Sequence, residues 1–526
     1  MPALRPAARL LPALLLAAAL FAPLAGALPG AAQPAQQPQV QQTPGQQPRD
    51  QQTDDQRAAG PGILSLLPAN AVTQHEIALG GERLAYTATA GTFALRNERG
   101  KRLAAVFYTA YTLDGAAAAT RPVTFVFNGG PGAASAYLHL GLVGPRIVEY
   151  GSPPETTAQL ESNPDSWLSF TDLVLIDPVG TGWSRAAEPD RAERFWSVER
   201  DAETLAKVIA LYVADNGRTA SPKYLLGESY GGFRAAKLAR ALQQQQGIVV
   251  SGIVMVSPFL DGALHSGASR LALNAALLLP SIAATELDRA GRFSAEALAA
   301  AERFAMTDYL VTLAGPPPEA ETGDGFYARV AELTGLPLDV VRRTRGFVAE
   351  AYLEHPSGGT PEIASPYDAT FALPDPFPES DDGHADDPIL DGYLQSLGGL
   401  FVGYAREQLG YETEMTFELL NRRVSRNWHW NSGGRRHASA TGDLRRLLAL
   451  NPGFRLLIAH GRSDLVTPYG ASRYVLDHLP PGTDANGEAD RARLAIYKGG
   501  HMFYFDPAAR AAFTAEAAAF YEGAAP

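Results

Sequence analysis

The sequence predicts an α/β protein with a mostly parallel central sheet, antiparallel strands at its start and a largely helical segment inserted late in the chain. Three observations lead to this prediction. Residues 72–115 alternate apolar and polar side chains, continuous apolar runs recur after them, and helical stretches separate those runs. Runs without alternation are typical of strands buried on both faces, and strands that alternate with helices form parallel sheets.

Three antiparallel strands are predicted first, at residues 75–79, 83–86 and 103–108, with turns between them. Six apolar runs follow, each ending at a loop: 123–127, 173–176, 224–226, 248–256, 454–459 and 494–497. Helices are predicted at 201–212 and 233–244. The six runs are the strands expected to form the parallel part of the sheet.

Residues 259–444 interrupt this alternation of strands and helices. The segment contains four helical stretches and a proline-rich acidic loop: 271–279, 295–304, 340–351, 393–409 and 374–387. Because it separates two strands of one sheet, it is predicted to be an inserted cap. The core would then consist of residues 63–258 and 445–526.

The composition restricts the class of protein. Of 526 residues, 46% are hydrophobic and 19% charged, which supports a large core and excludes wholesale disorder. The net charge of -12 and the lack of any dense basic block argue against nucleic acid as a partner. There is no cysteine, which excludes disulfides, cysteine-bound zinc and a cysteine nucleophile. Abundant Ala, Gly, Pro and Arg indicate a GC-rich bacterial source.

The N-terminus predicts export. Residues 1–27 have a basic start, a Leu/Ala-rich stretch and an Ala-Gly-Ala site, which is typical of a secretory signal peptide. A transmembrane anchor is the alternative, but Pro12 and Pro23 bracket a run of only ten residues, and about 20 are needed to span a bilayer. Residues 28–62 are rich in Gln and Pro and predict a flexible tether. We expect a periplasmic or extracellular bacterial protein without a membrane span after cleavage.

A candidate nucleophile lies at a predicted strand-to-helix turn. Gly227-Glu228-Ser229-Tyr230-Gly231 follows the strand at 224–226 and precedes the helix at 233–244. Such a turn requires small residues on either side of the serine, and it lifts the hydroxyl out of the sheet. A serine hydroxyl is a weak nucleophile, so it needs a base, and that base needs a carboxylate to orient it.

The candidate acid and base follow the last two strands. In this kind of site the acid and the histidine come after the serine in that order, each on a loop beyond a strand. Asp464 follows the run at 454–459, and His501 follows the run at 494–497 through a Gly-Gly turn. His460 is a rival base, but it precedes the candidate acid. The alternative is that Asp464 caps a helix and His501 lies on the surface.

A glycine-rich loop, Asn128-Gly129-Gly130-Pro131-Gly132, follows the strand at 123–127. Glycines allow the backbone to approach a substrate, and their N–H groups can point at a developing oxyanion. A tight turn that only reverses the chain is the alternative. A phosphate-binding loop is disfavoured because no Gly-Lys-Ser/Thr follows.

Six motifs in this order resemble the serine carboxypeptidases, peptidases with an α/β-hydrolase fold and a large cap. Two of them are the glycine-rich loop and the turn at Ser229 with Gly232. The other four are Gly144-Pro145, Asn163-Pro164-x-Ser166-Trp167, Asp177-x-Val179-Gly180-x-Gly182-x-Ser184 and Gly499-Gly500-His501-Met502. The resemblance covers roughly residues 121–258 and 445–510.

The resemblance implies a secreted serine-type carboxypeptidase that removes the last residue from peptides with free C-termini through an acyl-enzyme, with no metal or cofactor. Ser229 would be the nucleophile, His501 the general acid and base, and Asp464 its orienting partner. The amides of Gly130 and Tyr230 would form the oxyanion hole. Asn128, Gly129 and Glu228 would bind the carboxylate of the substrate. A desolvated Glu228 has a raised pKa and donates to a carboxylate when protonated, but repels it when ionised.

The chain departs from the family pattern at three positions. Val126, Ala133 and Leu142 stand where family members typically have a Trp, a Cys and a second Glu. These departures predict weaker discrimination for free C-termini. A general serine esterase, acyl hydrolase or acyltransferase on the same fold is therefore the alternative. A non-catalytic binding protein is disfavoured by the intact set of serine, acid and histidine.

Two segments of the cap each have two possible interpretations. The acidic run at 381–387 predicts a charged surface rather than a calcium loop, because its spacing does not fit one. Trp428-His429-Trp430 is expected either to line the pocket or to pack the cap onto the core.

Overall fold

The computed structural model describes residues 62–150, 158–319, 323–354, 362–379, 386–479 and 491–523. The predicted signal peptide and nearly all of the predicted tether lie outside the described residues. Within the described ranges, no helix is long and apolar enough to cross a membrane.

A ten-stranded sheet forms the centre of the fold. In chain order the strands are β1 (Ala71–Leu79), β2 (Glu82–Arg96), β3 (Arg102–Leu113), β4 (Val123–Phe127), β5 (Arg146–Glu149), β6 (Gln159–Ser162), β7 (Asp172–Ile176), β8 (Arg185–Ala186), β9 (Lys223–Glu228), β10 (Gly252–Val256), β11 (Glu362–Ser365), β12 (Asp368–Pro374), β13 (Arg455–Gly461) and β14 (Ala492–Tyr497). The sheet has the order β1-β2-β3-β7-β4-β9-β10-β13-β14, with β8 paired to β3. The other four strands form two separate hairpins, β5–β6 and β11–β12.

The direction of the strands agrees with the predicted fold class. Strands β1, β2 and β3 pair antiparallel, and β3 also runs antiparallel to β7. From β7 to β14 every neighbouring pair is parallel. Because the carboxyl ends of parallel strands meet at one edge, the loops after β4, β9, β13 and β14 lie on the same side of the sheet.

Helices cover both faces of the sheet. In chain order the helices are α1 (Ala136–Leu138), α2 (Val198–Asp215), α3 (Tyr230–Ala241), α4 (Ala272–Arg289), α5 (Ala295–Phe304), α6 (Leu310–Ala314), α7 (Asp324–Thr334), α8 (Leu338–Arg343), α9 (Ala349–Glu354), α10 (Ser396–Glu407), α11 (Arg422–Arg426), α12 (Thr441–Leu450), α13 (Tyr469–Asp477) and α14 (Pro507–Glu522). Helices α2, α3 and α12 pack on one face, and α10 and α14 on the other. The fully buried β4 contributes to both faces, since Phe125 and Phe127 point to one core and Val126 to the other.

The segment between β10 and β13 contains helices α4 to α12 and the hairpin β11–β12. A third apolar core joins its helices, with Ile282 of α4, Val330 of α7 and Val341 of α8 among the buried side chains. The insertion is therefore largely helical, as expected. The limits of the cap at residues 259 and 444 stay a prediction.

Two of the predicted elements differ clearly from the structure. The helix predicted at 340–351 is two helices, α8 and α9, because Arg345 and Gly346 between them have φ of 54° and 85°, in the left-handed region. The strand predicted at 248–256 begins only at Gly252. Isolated apolar side chains before it do not extend the pairing with β9 and β13.

Candidate active site

The serine turn has the strained geometry that the sequence pattern predicts. Ser229 lies between β9 and α3 with φ 59° and ψ -124°, a conformation that residues other than glycine rarely adopt. A Cβ added to Gly227 would lie 2.0 Å from the carbonyl oxygen of Gly231, and one added to Gly231 would lie 2.5 Å from the carbonyl oxygen of Phe127. Both positions therefore require glycine. The turn leaves Ser229 partly exposed, while its neighbours Glu228 and Tyr230 are buried.

The candidate acid and base are in direct contact. His501 Nδ1 and Asp464 Oδ2 are 2.8 Å apart, and both side chains are buried. Asp464 Oδ1 accepts hydrogen bonds from the backbone N–H groups of Val466 and Thr467, at 2.9 and 3.0 Å. These contacts fix the carboxylate. With Nδ1 engaged by Asp464, Nε2 is the other ring nitrogen of His501, which lines the same cavity as Ser229.

The charges of this pair reinforce each other. Burial lowers the pKa of His501, but the Asp464 carboxylate and the hydrogen bond to it outweigh burial, so the pKa lies above its ordinary value. Burial raises the pKa of Asp464, but the neighbouring His501 holds it below its ordinary value. Asp464 thus stays ionised and stabilises a protonated imidazole, which is what a base requires of its orienting partner.

A threonine that sequence reasoning missed joins the pair. Thr467 Oγ1 lies 2.8 Å from Asp464 Oδ2 and 3.0 Å from His501 Nδ1, and donates to the carbonyl oxygen of Ser257 at 2.9 Å. Ser257 in turn donates from its hydroxyl to the carbonyl oxygen of His501 at 2.8 Å. The only sequence signal was a hydroxyl three residues after the acid, which is common at turns.

The hairpin of the inserted segment also reaches these loops. The N–H of His501 donates to the carbonyl oxygen of Tyr367 at 2.5 Å, and the N–H of Leu465 donates to the carbonyl oxygen of Pro366 at 2.9 Å. A Cβ on Gly500 would lie 2.0 Å from the oxygen of Tyr367. The Gly-Gly turn before His501 therefore makes room for the β11–β12 turn, and Tyr367 stacks edge-on against the imidazole at 5.3 Å between ring centres.

The rival histidine lies elsewhere. His460 is buried, and its Nε2 is 2.8 Å from the hydroxyl of Ser472. Burial lowers its pKa to about 3, so it stays neutral. It does not line the cavity at Ser229.

The glycine-rich loop packs directly against the serine turn. A Cβ on Gly129 would lie 2.6 Å from the backbone nitrogen of Tyr230, so the two backbones touch. Neither the amide of Gly130 nor that of Tyr230 donates to another described residue. The loop and the first residue of α3 therefore each offer one N–H group next to Ser229, which is the chemistry an oxyanion hole requires.

Asn128 anchors this loop from below. Its Oδ1 accepts a hydrogen bond from the N–H of Leu138 at 3.0 Å, which leaves its amide NH₂ to face the other way. Its carbonyl oxygen accepts from the buried guanidinium of Arg234 on α3. Arg234 also pairs with buried Asp201 at 2.6 Å. The loop is thus tied to the two helices behind the sheet.

Glu228 is a buried carboxyl beside the serine. Tyr504 donates a hydrogen bond from its hydroxyl to Glu228 Oε2 at 2.5 Å, and no cation is paired with the carboxyl among the described residues. Burial raises its pKa to about 7, against smaller lowering effects of His501, Tyr504 and Asn128. The raised pKa expected from the sequence is therefore present, and the carboxyl is mostly protonated in mild acid.

These groups meet in one cavity of about 560 Å³. Ser229, His501, Glu228 and the loop from Asn128 to Gly130 line it, together with Tyr137, Tyr367 and Met502. The inserted segment contributes Trp430 and three arginines, Arg422, Arg426 and Arg435. Asp464 lies behind His501 and does not reach the cavity.

Trp428 and Trp430 lie in different environments. Trp430 lines the cavity, whereas Trp428 is buried and packs edge-on against Tyr230, with 5.2 Å between ring centres. Both expectations for this segment are met, one by each ring. Most of the acidic run at 381–387 lies outside the described residues. Within the described chain, no group of three His, Asp or Glu side chains is arranged to hold a metal ion.

The three departures from the family pattern are all buried. Val126 and Leu142 are inaccessible to solvent, and Ala133 is nearly so. Neither of the first two side chains can donate a hydrogen bond toward Glu228. Ala133 lines the cavity, and because the sequence has no cysteine, no disulfide forms at this position.

Comparison with known proteins supports the resemblance. Residues 83–277 match the serine carboxypeptidase family. The matched range contains the glycine-rich loop, Asn128 and the turn at Ser229, while Asp464 and His501 lie beyond it. With this match and the fold above, the chain is a serine hydrolase that is similar to the serine carboxypeptidases over residues 83–277.

A curated relative matches over a shorter stretch. The carboxypeptidase sxa2 of Schizosaccharomyces pombe is 28% identical over 140 residues, which is 26% of this chain and 26% of the relative. The chain thus aligns with about a quarter of the length of that protein.

Two solved structures match the chain at low sequence identity. Proline iminopeptidase of Mycobacterium smegmatis is 16% identical, with a TM-score of 0.38 over 83% of this chain and 98% of that one. A thermostable carboxyl esterase of Bacillus coagulans is 12% identical, with a TM-score of 0.36 over 83% of this chain and 99% of that one. The α/β-hydrolase fold is evident in the strand order and in the serine turn after β9.

Proposed function

We propose that this protein is a serine-type carboxypeptidase that releases C-terminal residues from peptides. Ser229 is the nucleophile, His501 the general base and then the general acid, and Asp464 the carboxylate that orients His501. The amides of Gly130 and Tyr230 stabilise the oxyanion. Asn128, Gly129 and Glu228 bind the free carboxylate of the substrate.

The first half of the reaction forms an acyl-enzyme. Ser229 Oγ attacks the carbonyl carbon of the last peptide bond while His501 Nε2 takes the hydroxyl proton, and the carbonyl oxygen becomes an oxyanion held by the two amides. His501 then gives the proton to the leaving nitrogen. The C–N bond breaks and the C-terminal amino acid departs.

The second half repeats these steps with water. His501 takes a proton from water as its oxygen attacks the ester carbon of the acyl-enzyme, and then returns the proton to Ser229 Oγ as the ester bond breaks. The shortened peptide leaves, and the enzyme is regenerated without a metal or a cofactor in any step.

The observation that carries this proposal is the state of Glu228. It is a buried carboxyl next to the nucleophile, it lines the same cavity, and its pKa is raised to about 7. A buried carboxyl without a paired cation destabilises the fold, and the chemistry of a general esterase gives no reason to keep one. A site for a peptide carboxylate does need it, since the protonated form donates a hydrogen bond to an anion.

The test compares three substrates that share one acyl group. An N-blocked dipeptide acid, its C-terminal amide and an aryl ester are hydrolysed from pH 4 to 8, with Ser229→Ala as the blank. We expect the acid to be preferred over the amide below pH 7 and the preference to fade above it. Equal rates on acid and amide at every pH would overturn the assignment.

The second candidate is a general serine esterase, acyl hydrolase or acyltransferase. Leu142 and Val126 favour it, because both are buried and apolar where the family has groups that donate hydrogen bonds. Turnover of the aryl ester alone would select this candidate. Transfer of the acyl group to an added amine or alcohol in place of water would identify the acyltransferase.

We further propose that the protein is exported to the periplasm or the exterior of a bacterium. The support is the sequence of residues 1–27, with its basic start, apolar stretch and Ala-Gly-Ala site. Expression of the full chain in a bacterium, followed by fractionation and N-terminal sequencing, is the test. We expect cleavage near Ala27, and an uncleaved cytoplasmic product would contradict the proposal.

A further inference from the structure

The surroundings of Glu228 differ from a site with two carboxyl groups. Leu142 occupies the position of the second acid of the family and is fully buried, so it can neither share a proton nor donate one. Two tyrosine hydroxyls stand near Glu228 instead. They belong to Tyr504, on the loop after His501, and to Tyr137 of α1.

Tyr504 fixes the position of the proton on Glu228. The two side chains are buried, and the phenol donates to Glu228 Oε2 at 2.5 Å. Burial and the charge of Glu228 raise the pKa of Tyr504 well above its ordinary value, so the phenol remains a donor at every working pH. Because Oε2 accepts the hydrogen bond from Tyr504, a proton on Glu228 is favoured on Oε1, the oxygen that the phenol does not bond.

Tyr137 offers a donor without an acceptor. Its side chain is 3% exposed, it lines the cavity at Ser229, and its hydroxyl has no hydrogen-bond partner among the described residues. A buried hydroxyl without a partner is unfavourable unless a ligand satisfies it. Burial and the negative charge of Glu228 raise its pKa, so it too is present as the phenol and lies close to the carboxyl.

We propose that the Tyr137 hydroxyl is an additional ligand of the substrate's terminal carboxylate, and that Tyr504 is the positioning residue that directs the Glu228 proton toward it. This inference rests on the proposed carboxypeptidase function. The carboxylate then receives hydrogen bonds from Tyr137, from Glu228 Oε1, and from Asn128 or the amide of Gly129. A carboxylate has about four acceptor positions, so this set of donors suits it.

The two tyrosines have different effects on pH dependence. The groups that face Glu228 are Tyr504, Asn128, His501 and, behind it, Asp464, with Tyr137 nearby. The hydrogen bond from Tyr504 stabilises the ionised carboxyl, so its loss raises the pKa of Glu228. Tyr137 makes no hydrogen bond with Glu228, so its loss leaves that pKa almost unchanged.

The experiment uses the full chain with Tyr137→Phe, Tyr504→Phe and a matched control, Tyr411→Phe. Tyr411 also has a buried hydroxyl that bonds no other residue in the described ranges, but it does not line the cavity. Each variant is assayed on the acid, the amide and the ester across pH, and its urea unfolding is compared with that of the wild type.

We expect Tyr137→Phe to lower kcat/KM for the acid about tenfold at pH 5, through KM, and to leave amide and ester rates and the pH midpoint unchanged. Tyr504→Phe should move the midpoint of the acid-to-amide ratio upward by about half a pH unit or more. Tyr411→Phe should resemble the wild type in all assays.

Three results would overturn the inference. If the wild type prefers the acid and Tyr137→Phe retains that ratio, the assignment of Tyr137 is wrong while the proposed function stands. If Tyr137→Phe slows all three substrates equally, its role is structural. If the wild type shows no preference for the acid, the proposed function and this inference both fail.

Discussion

Replacement of Glu228 by glutamine tests the central argument with the smallest change of shape. The glutamine oxygen can still accept the hydrogen bond from Tyr504, and its NH₂ group takes the place of the protonated oxygen. Glu228→Gln therefore reproduces the protonated carboxyl at every pH. We expect the variant to retain its preference for acid substrates above pH 7, where the wild type loses it.

The magnitude follows from the pKa of Glu228. With a pKa of about 7, about nine-tenths of the carboxyl is protonated at pH 6 and about one-tenth at pH 8. The acid-to-amide ratio of kcat/KM should therefore fall about tenfold over that range in the wild type and stay level in Glu228→Gln. The ratio cancels the titration of His501, which affects both substrates alike.

The same pKa has a consequence for stability. A rise from 4.5 to about 7 corresponds to about 3 kcal/mol, at about 1.4 kcal/mol for each unit of pKa. Since the folded state binds this proton more tightly than the unfolded state, the contribution of Glu228 to stability is fully present below pH 4.5 and is lost as the pH rises through about 7. Glu228→Gln should recover about 3 kcal/mol of unfolding free energy at pH 8 relative to pH 4.

Two assays test these predictions for Glu228→Gln. The first is kcat/KM for the dipeptide acid and amide at pH 5 to 8, and the second is urea unfolding at pH 4 and 8. A variant that keeps the wild-type pH dependence of the ratio would show that another group reads the carboxylate. An unchanged pH dependence of stability would show that Glu228 is not the titrating carboxyl.

Further predictions concern the support of the site. Thr467→Val removes the hydroxyl 2.8 Å from Asp464 Oδ2 and should lower kcat about tenfold on ester and peptide alike, with KM unchanged; a change in KM alone would contradict this. Arg234→Met leaves the buried carboxylate of Asp201 unpaired and should reduce the unfolding free energy in urea by about 3–5 kcal/mol; a loss under 1 kcal/mol, roughly that of an exposed pair, would refute it. Burial raises the pKa of Asp177 from 3.8 to about 7, so the contribution of this carboxyl to stability is lost as the pH rises between those values. Asp177→Asn should therefore increase the unfolding free energy at pH 8 by up to about 4 kcal/mol more than at pH 4. An equal change at both pH values would argue against this prediction.

The sequence was sufficient to predict the parts of the site that depend on local pattern. Ser229, Asp464 and His501 each follow an apolar strand, and the carboxyl ends of parallel strands share one edge of the sheet. The structure brings Asp464 and His501 into contact and lines one cavity with Ser229 and His501. The glycines of the serine turn were predictable for a related reason, since the turn leaves no space for a Cβ.

The residues that were missed depend on contacts between distant parts of the chain. Tyr367 reaches His501 from a hairpin more than a hundred residues earlier, and nothing near Tyr367 in sequence marks it. No role was predicted for Tyr504, although its hydroxyl donates a hydrogen bond to Glu228. The break between α8 and α9 was missed because apolar spacing continues across a left-handed Arg345. Apolar spacing indicates which face is buried but not the backbone conformation.

The turn at Pro366 and Tyr367 links the inserted segment to the chemistry as well as to the pocket. Its two carbonyl oxygens accept the amides of Leu465 and His501, one on each loop that supplies a candidate catalytic side chain. An exchange of this insertion for that of a relative would therefore remove two hydrogen bonds beneath the base, even if the new insertion brought a better pocket. An insertion that is exchanged to change specificity should therefore retain this turn.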